Sequence, residues 1–429
     1  MAAYGYGIWP GELAARFRVV RPTIMDHADV IILGGGLVGC SLSLSLAAHG
    51  ITTIVVDLAD PAVTLAANFD GRASAIASAS HRMLDAIGVG TLLAGKGCPI
   101  ESIRVSDGLA PGGLDFAPDA GDGALGTMYE NRLLRTTLHQ TAAAADVVDL
   151  RMQTRALSVT RDSTGVRMVL DSGAEIAAPL MIAAEGRNSP TRTAAGITIA
   201  QWQYHHNAII TAFDHARPHE NCAFEIFYPA GPFAILPLLP VDGRNRSALV
   251  WTVSEGDAPG MLKLSDRGFL AEAEKQMGGF LGPLSNLAPR STYPLGFHHA
   301  ARITAERLAL VGDAAHGIHP IAGQGLNLGF RDVATLTEVL VDGKRLGLDL
   351  GDPQLLARYE RWRGLDTLMV AMATDTLNRL FGVPGKTASA VRRFGLSAVQ
   401  AIPPLKARFM AEARGESGDL PRLLQGELV

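Results

Sequence analysis

Two short apolar runs, Val30 to Leu33 and Thr53 to Val56, are rich in β-branched residues and show no polar alternation. That is the pattern of strands buried on both faces. Between them small and apolar residues continue from Leu37 to about His49 and stop at Gly50, which predicts a buried helix with a glycine stop. A helical stretch is predicted from Asn131 to Ala145, and residues 147–184 read as short strands around turns at Ser163–Gly165 and Ser172–Gly173. From about 198 to 300 the chain reads as β-rich, with CAFEIFYPAGPFAILPL and SALVWTV running apolar or alternating. Leu308 to Val311 is a further buried strand, a helix runs on from about Leu326, and a long helical region is predicted over 353–381 before a Pro-Pro break at 403–404.

Strand, helix and strand in succession make the opening an α/β unit. A length of 429 residues favours two domains, or one large α/β unit with an inserted second sheet. The net charge of −4, without a Lys/Arg block, gives no electrostatic case for nucleic acid. Cys40, Cys98 and Cys222 lie far apart with no CxxC, so neither a disulfide framework nor a zinc site is indicated, which fits a reducing compartment. No apolar run approaches the roughly 18 residues that span a bilayer. Residues 1–27 are expected to be a flexible tail, with a weakly basic GELAARFRVVRP stretch as the alternative of an organelle transit peptide.

The chemistry begins at the turn after the first strand. Gly34, Gly36 and Gly39 stand at GxGxxG spacing, where glycines let the backbone approach a pyrophosphate and the helix start offers bare N–H groups to it. Asp57 ends the second strand, placed to accept hydrogen bonds from ribose hydroxyls and to disfavour a 2′-phosphate. The motif alone leaves NAD and FAD open. GDAAHGIHPIAGQGLNLGF, residues 312–330, favours FAD. Asp313 follows a strand and can face a sugar-alcohol chain or a phosphate. Gly323, Gln324, Gly325 and Asn327 then open a helix whose N-terminus suits the negative charge of a reduced flavin. Asp313, His316 and His319 have a spacing that a metal would need, but Gly317 and Pro320 argue against a helix there, and no metal is expected. His316 is expected to bond the backbone or lie near the flavin, and the doublets His205–His206 and His298–His299 to be solvated or packed.

These motifs resemble those of the aromatic-ring flavoprotein monooxygenases. GGGLVG, AEGRNSPTR and GDAAHGIHPIAGQGLNLGFRD follow in the family's order, with Glu185 where the family has Asp before Gly186. Within that superfamily the chain is most similar to the ubiquinone-biosynthesis hydroxylases, through DGRASAIASAS, YENRLLRTTL, the run from Phe224 to Leu238 and GDLPRLL. YHHN stands in place of that group's Tyr-x-Gln.

The resemblance implies a Rossmann-like FAD-binding domain, an inserted β-sheet substrate domain as in para-hydroxybenzoate hydroxylase, and a helical C-terminal region. The expected division is a tail at 1–27, the FAD-binding domain at 28–197 and again at 301–345, a substrate domain at 198–300, and helices at 346–429. It also implies hydroxylation of a polyprenylphenol ring with NAD(P)H and O2 through a flavin hydroperoxide. Pro320 and His316 would lie at the flavin's reactive face, Arg72 and Asn131 would touch the cofactor, and Phe224, Phe233, Leu236 and Pro237 would wall the ring pocket. VRRFGLSAVQAIPPLKARFMAEA, from Val391, is expected to be either an interfacial helix for a membrane or partner complex, or an ordinary closing helix. The expected location is the bacterial cytoplasm, peripheral to the inner membrane, or the mitochondrion. A homo-oligomer, a hydroxylase of soluble phenols and a non-catalytic FAD-binding component of a quinone-biosynthesis complex stay open as alternatives.

Overall fold

The computed structural model describes residues 26–66, 72–111, 113–118, 123–317, 324–364, 367, 383 and 385–429. The first strand, Val30–Leu33, is wholly buried because it is central: it pairs in parallel with Thr53–Val56 on one side and Leu180–Ala183 on the other. Val148–Arg151 and Leu308–Leu310 extend the same parallel sheet outward, and Thr304–Ala305 closes one edge antiparallel. The helix Leu37–Ala47 lacks a polar face because it is buried from Gly39 to Leu46. The helices Asn131–Ala144 and Gln324–Arg345 contribute to the same core. All of this matches the pattern of apolar runs.

A second, larger sheet has nine strands among the described residues, built around the antiparallel set Ile199–His215, Cys222–Tyr228, Gly231–Val241, Arg244–Ser254 and Ser291–Ala300. The last two strands on one side, Ser102–Asp107 and the edge strand Gly113–Phe116, come from far earlier in the chain, inside the segment expected to belong to the FAD-binding domain. The other edge, His316–Gly317, comes from the glycine-rich loop. The segment expected to be β-rich also holds two helices, Ala258–Lys263 and Asp266–Met277, the second capped by the Ser265 hydroxyl and stopped by left-handed Gly278.

Alternation gives the large sheet two different faces. Phe224, Ile226, Phe233, Ile235 and Trp251 face outward and pack on Phe269, Ala273 and Met277 of the second helix. Ala212, Ala223, Leu238 and Ala248 face inward, against a small sheet formed by Ala73–Ala77, Gly126–Glu130 and Cys98–Ile100. Leu396 and Val399 of the C-terminal helix Lys386–Ala401 join this inner layer.

Candidate active site

The first glycines do distinct work. Gly34 has φ +105°, and a Cβ there would lie 2.4 Å from the Ala184 carbonyl oxygen. A Cβ at Gly39 would lie 1.8 Å from the Gly34 oxygen, so this glycine is required by helix–turn packing. Gly36 has no protein atom within 4 Å of its Cβ position. It is also the N-cap of the first helix and supplies no side-chain cap, so a bare helix start faces open space. Asp57 is held beside it by two backbone donors, Gly35 N–H at 2.5 Å and Ala59 N–H at 2.7 Å. Burial, with the Asp57 charge adding to it, pushes the neighbouring Cys40 thiol up to about 12, so it is no thiolate at neutral pH.

The second loop closes on the same place. Gly312, at φ +59°, and Gly329 of the long helix both press on Val38, with Cβ positions 3.2 and 2.9 Å from its Cγ2. This close approach brings Asp313 to the mouth of the first helix, with its side chain exposed. Its own carbonyl accepts from His298 Nε2 at 2.8 Å, which fixes the turn. Gln324 and Gly325 open the long helix, and Gly325 has open space at its Cβ position. Pro320, His319 and Gly323 lie outside the described residues.

Arg72, Asn131 and Asn327, scattered in sequence, meet along one strand of the small sheet. Arg72 is exposed, and its carbonyl accepts from the Asn131 N–H at 3.0 Å. The Asn131 side chain accepts from Ser74 Oγ at 2.6 Å. Asn327 is buried, accepting from Ala77 N–H at 2.9 Å and donating to Ala75 O at 2.8 Å. It clamps the long helix to this strand, a structural duty the sequence did not suggest.

Gly186, at φ +80°, likewise has open space at its Cβ position. Glu185 is turned back into its own chain, accepting from Ser189 Oγ at 2.5 Å and Thr191 N–H at 3.2 Å, so the longer acid anchors the start of the helix Pro190–Ala194. Arg192 is buried and donates to Ala314 O and Arg187 O, both at 2.9 Å, locking the middle motif to the Asp313 turn. Arg187 reaches towards Gly296 and Gly317. Tyr293 joins this group: burial pushes its phenol up, Arg187 and Arg72 pull it down, and Asp313 opposes them. Residues 72, 187, 293 and 313 therefore converge.

His316 and the phenylalanines expected to wall the pocket have other partners in the structure. His316 is 2% exposed, and its Nε2 donates to Asp332 Oδ2 at 2.6 Å. Asp332 also accepts from Gly312 N–H at 2.8 Å and Arg363 Nε at 2.6 Å. The imidazole is thus spent on a buried carboxylate and positions the loop from behind. Phe224 and Phe233 lie on the outer face of the large sheet, where aromatic bulk fills the space against the helix Asp266–Met277. Pro237 shares the parity of Phe233, whereas Leu236 is on the inner face with Ala212 and Ala248.

A bare helix start with room at Gly36, two backbone-held acceptors at Asp57 and an exposed Asp313 fit a dinucleotide with a pyrophosphate and hydroxyl-bearing chains. Residues 27–367 match the family model described as FAD binding domain. The ubiquinone hydroxylase UbiL of Rhodospirillum rubrum is 45% identical over 402 residues, 93% of each chain. The 3-demethoxyubiquinol 3-hydroxylase of Escherichia coli is 32% identical over 389 residues, covering 90% of this chain and 98% of its own. Among solved structures, p-nitrophenol 4-monooxygenase PnpA of Pseudomonas putida superposes with a TM-score of 0.74 at 18% identity, over 92% of this chain and 100% of its own. The glycine turn, the acid after the second strand and the Asp313 loop fit the parts of a flavin cradle, and the chain belongs to the FAD-binding domain family.

Proposed function

We propose that the protein is an FAD-dependent monooxygenase that hydroxylates the aromatic ring of a polyprenylphenol in ubiquinone biosynthesis, with NAD(P)H and O2 as co-substrates. One observation carries the reading: the apolar inner face of the large sheet is tied directly to the flavin cradle. Arg246 on that face pairs with Glu130 at 2.8 Å, one residue before Asn131, and Tyr293 on the same face senses Arg72, Arg187 and Asp313. The ubiquinone hydroxylases among the relatives support the substrate class.

Bound FAD, reduced by NAD(P)H, supplies the means to activate O2 and place one oxygen atom on the ring. The chain supplies the rest. The Leu37–Ala47 helix start would hold the pyrophosphate and Asp57 the ribose, while Asp313 would take the sugar-alcohol chain. Leu236, half-buried on the apolar inner face, would lend the ring a wall, backed by buried Ala212 and Ala248, that keeps water from the reacting atoms.

Anaerobic stopped-flow mixing with NADPH or NADH tests this reading. A short-chain prenylphenol is expected to accelerate flavin bleaching by at least about tenfold, and aerobic turnover to give a hydroxylated ring. Bleaching that ignores the phenol, with no oxygenated product, would refute it.

No helix among the described residues is long and apolar enough to cross a membrane. We propose a peripheral seat instead. In the helices Lys386–Ala401 and Pro403–Ala413, Leu396 and Val399 pack inward while Val391, Phe394, Ile402, Leu405 and Phe409 are exposed, Phe394 by 76%. Arg393 and Arg408 lie among them, so apolar and basic side chains suit an anionic bilayer. Replacing both Phe394 and Phe409 by Asp is expected to weaken binding to phosphatidylglycerol vesicles by roughly tenfold or more, from about 1.5–3 kcal/mol per buried Phe. FAD content should be unchanged. Equal vesicle binding by both proteins would sink the idea.

A further inference from the structure

Glu225 is the anomaly of the inner face. It lies mid-strand in Cys222–Tyr228, opposite Ala234 on one neighbour and Val105 on the other. Its strand neighbours Phe224 and Ile226 face outward, whereas Ala223 and Phe227 pack inward with Cys98, Met128, Val105 and Leu396. Alternation therefore aims Glu225 inward, towards the layer that carries the flavin cradle. It is 7% exposed, and among the described residues it has no hydrogen-bond or ion-pair partner.

The charged groups facing it from the surrounding elements are already engaged. Asp107 on the adjacent strand pairs with Arg392 Nε at 3.0 Å and with Ser389 of the C-terminal helix. Arg246, two strands away, pairs with Glu130. Burial alone pushes the Glu225 carboxyl up to about 8, so at neutral pH the neutral acid predominates. A lone carboxyl in an apolar wall costs stability that no partner among the described residues offsets. A polar atom of a mostly apolar ligand would offset it, because a carboxyl both donates and accepts.

We propose that Glu225 receives the hydroxyl of the substrate's phenol ring, orients the ring on the inner face and accepts the hydroxyl proton during oxygenation. The proposal rests on the hydroxylase reading above. The phenol O–H bond breaks, the proton goes to a Glu225 carboxylate oxygen, and the electron pair moves into the ring, which forms its new C–O bond ortho or para to the hydroxyl. That ring carbon then loses its hydrogen as a proton, aromaticity returns, and Glu225 gives a proton back to the first oxygen. O2 supplies the oxygen atom: its O–O bond breaks as the C–O bond forms, and the second oxygen leaves as water with the two electrons of NAD(P)H and two protons, one of them the proton lost by the ring carbon. A base with a raised carboxyl value suits a weakly acidic phenol better than an ordinary glutamate would.

The test compares wild type with Glu225→Gln, using a short-chain prenylphenol. Wild-type turnover should rise with pH through about 8, as the base form appears. Thermal stability should fall as pH rises from the ordinary glutamate range to about 8 and level off above it, because over that interval the folded carboxyl keeps a proton that the unfolded chain has lost. Glu225→Gln should keep its FAD, melt at the same or a higher temperature, lose about 100-fold in turnover, and lose both pH dependences. Turnover within about threefold of wild type, or an unchanged pH limb, overturns the proposal. If Glu225→Gln loses FAD, Glu225→Met serves in its place; loss of FAD by both variants assigns Glu225 to the fold and overturns the proposal as well. A wild type that forms no product overturns the hydroxylase reading itself, and this one with it.

Discussion

Replacing Asp332 by Ala is expected to destabilise the protein by about 3–5 kcal/mol and to abolish FAD retention. The carboxylate is fully buried and takes three hydrogen bonds: from Gly312 at the start of the second loop, from His316 behind it and from Arg363. Removing it takes from the Arg363 guanidinium, itself 2% exposed, the carboxylate that its Nε meets at 2.6 Å in a dry interior. It also frees the turn that presents Asp313. Burial pushes the Asp332 carboxyl up, but His316 and Arg363 more than reverse that and hold it below the ordinary carboxylate value. Its stabilisation is therefore present above the ordinary carboxylate range and is lost as pH falls through the lowered value. Urea unfolding at neutral and acid pH, with flavin absorbance after gel filtration, checks both effects. A variant that keeps FAD and unfolds at the wild-type urea concentration would contradict this account.

Gly36 and Gly39 are expected to fail in opposite ways. Ala at position 39 drives its Cβ onto the Gly34 carbonyl oxygen, at 1.8 Å in the undisturbed backbone. The helix must then lift from the turn, at about 3 kcal/mol or more, with flavin lost as a consequence. Ala at position 36 meets no protein atom within 4 Å, and its φ of −74° suits any residue. The fold should therefore hold to within about 0.5 kcal/mol. The methyl would instead occupy the approach of the pyrophosphate, so the FAD dissociation constant should rise roughly 10- to 100-fold. Titration of the apoproteins with FAD, beside their melting curves, separates the two. Parallel losses of stability and affinity at both positions would refute the distinction.

The strand, turn, helix and strand that open the chain are legible because their signals are local. Val30–Leu33, the glycines, the small-residue helix and Asp57 lie within one short segment, and each residue's type dictates its neighbour's conformation. What the sequence hid depends on distance or on a face. Asp332 reads as one charge in an amphipathic helix until the chain returns with Arg363, and His316 reads as a loop histidine until it meets that carboxylate. Apolar runs marked the substrate sheet, but where both faces are buried, parity does not say which side meets the flavin. Phe224 and Phe233, expected to wall the ring pocket, pack against the helix Asp266–Met277 on the outer face. A charged residue inside CAFEIFY was the available sign of the inner face. The helix Asp266–Met277 also had its Ser265 cap and Gly278 stop in plain view within a stretch expected to be strands.

The interleaving of the two sheets has a consequence for how the chain must fold. Val30–Leu33 is flanked by a strand near residue 180, whose far side waits for Leu308–Leu310, while the large sheet needs both Ser102–Asp107 and His316–Gly317 to complete its edges. Neither sheet closes until more than 300 residues have left the ribosome. Pairings of such wide sequence separation form slowly, and the waiting strand edges are open to association with other chains. Heterologous production should accordingly yield more soluble protein at low temperature, where synthesis slows and edge-to-edge aggregation loses its hydrophobic drive.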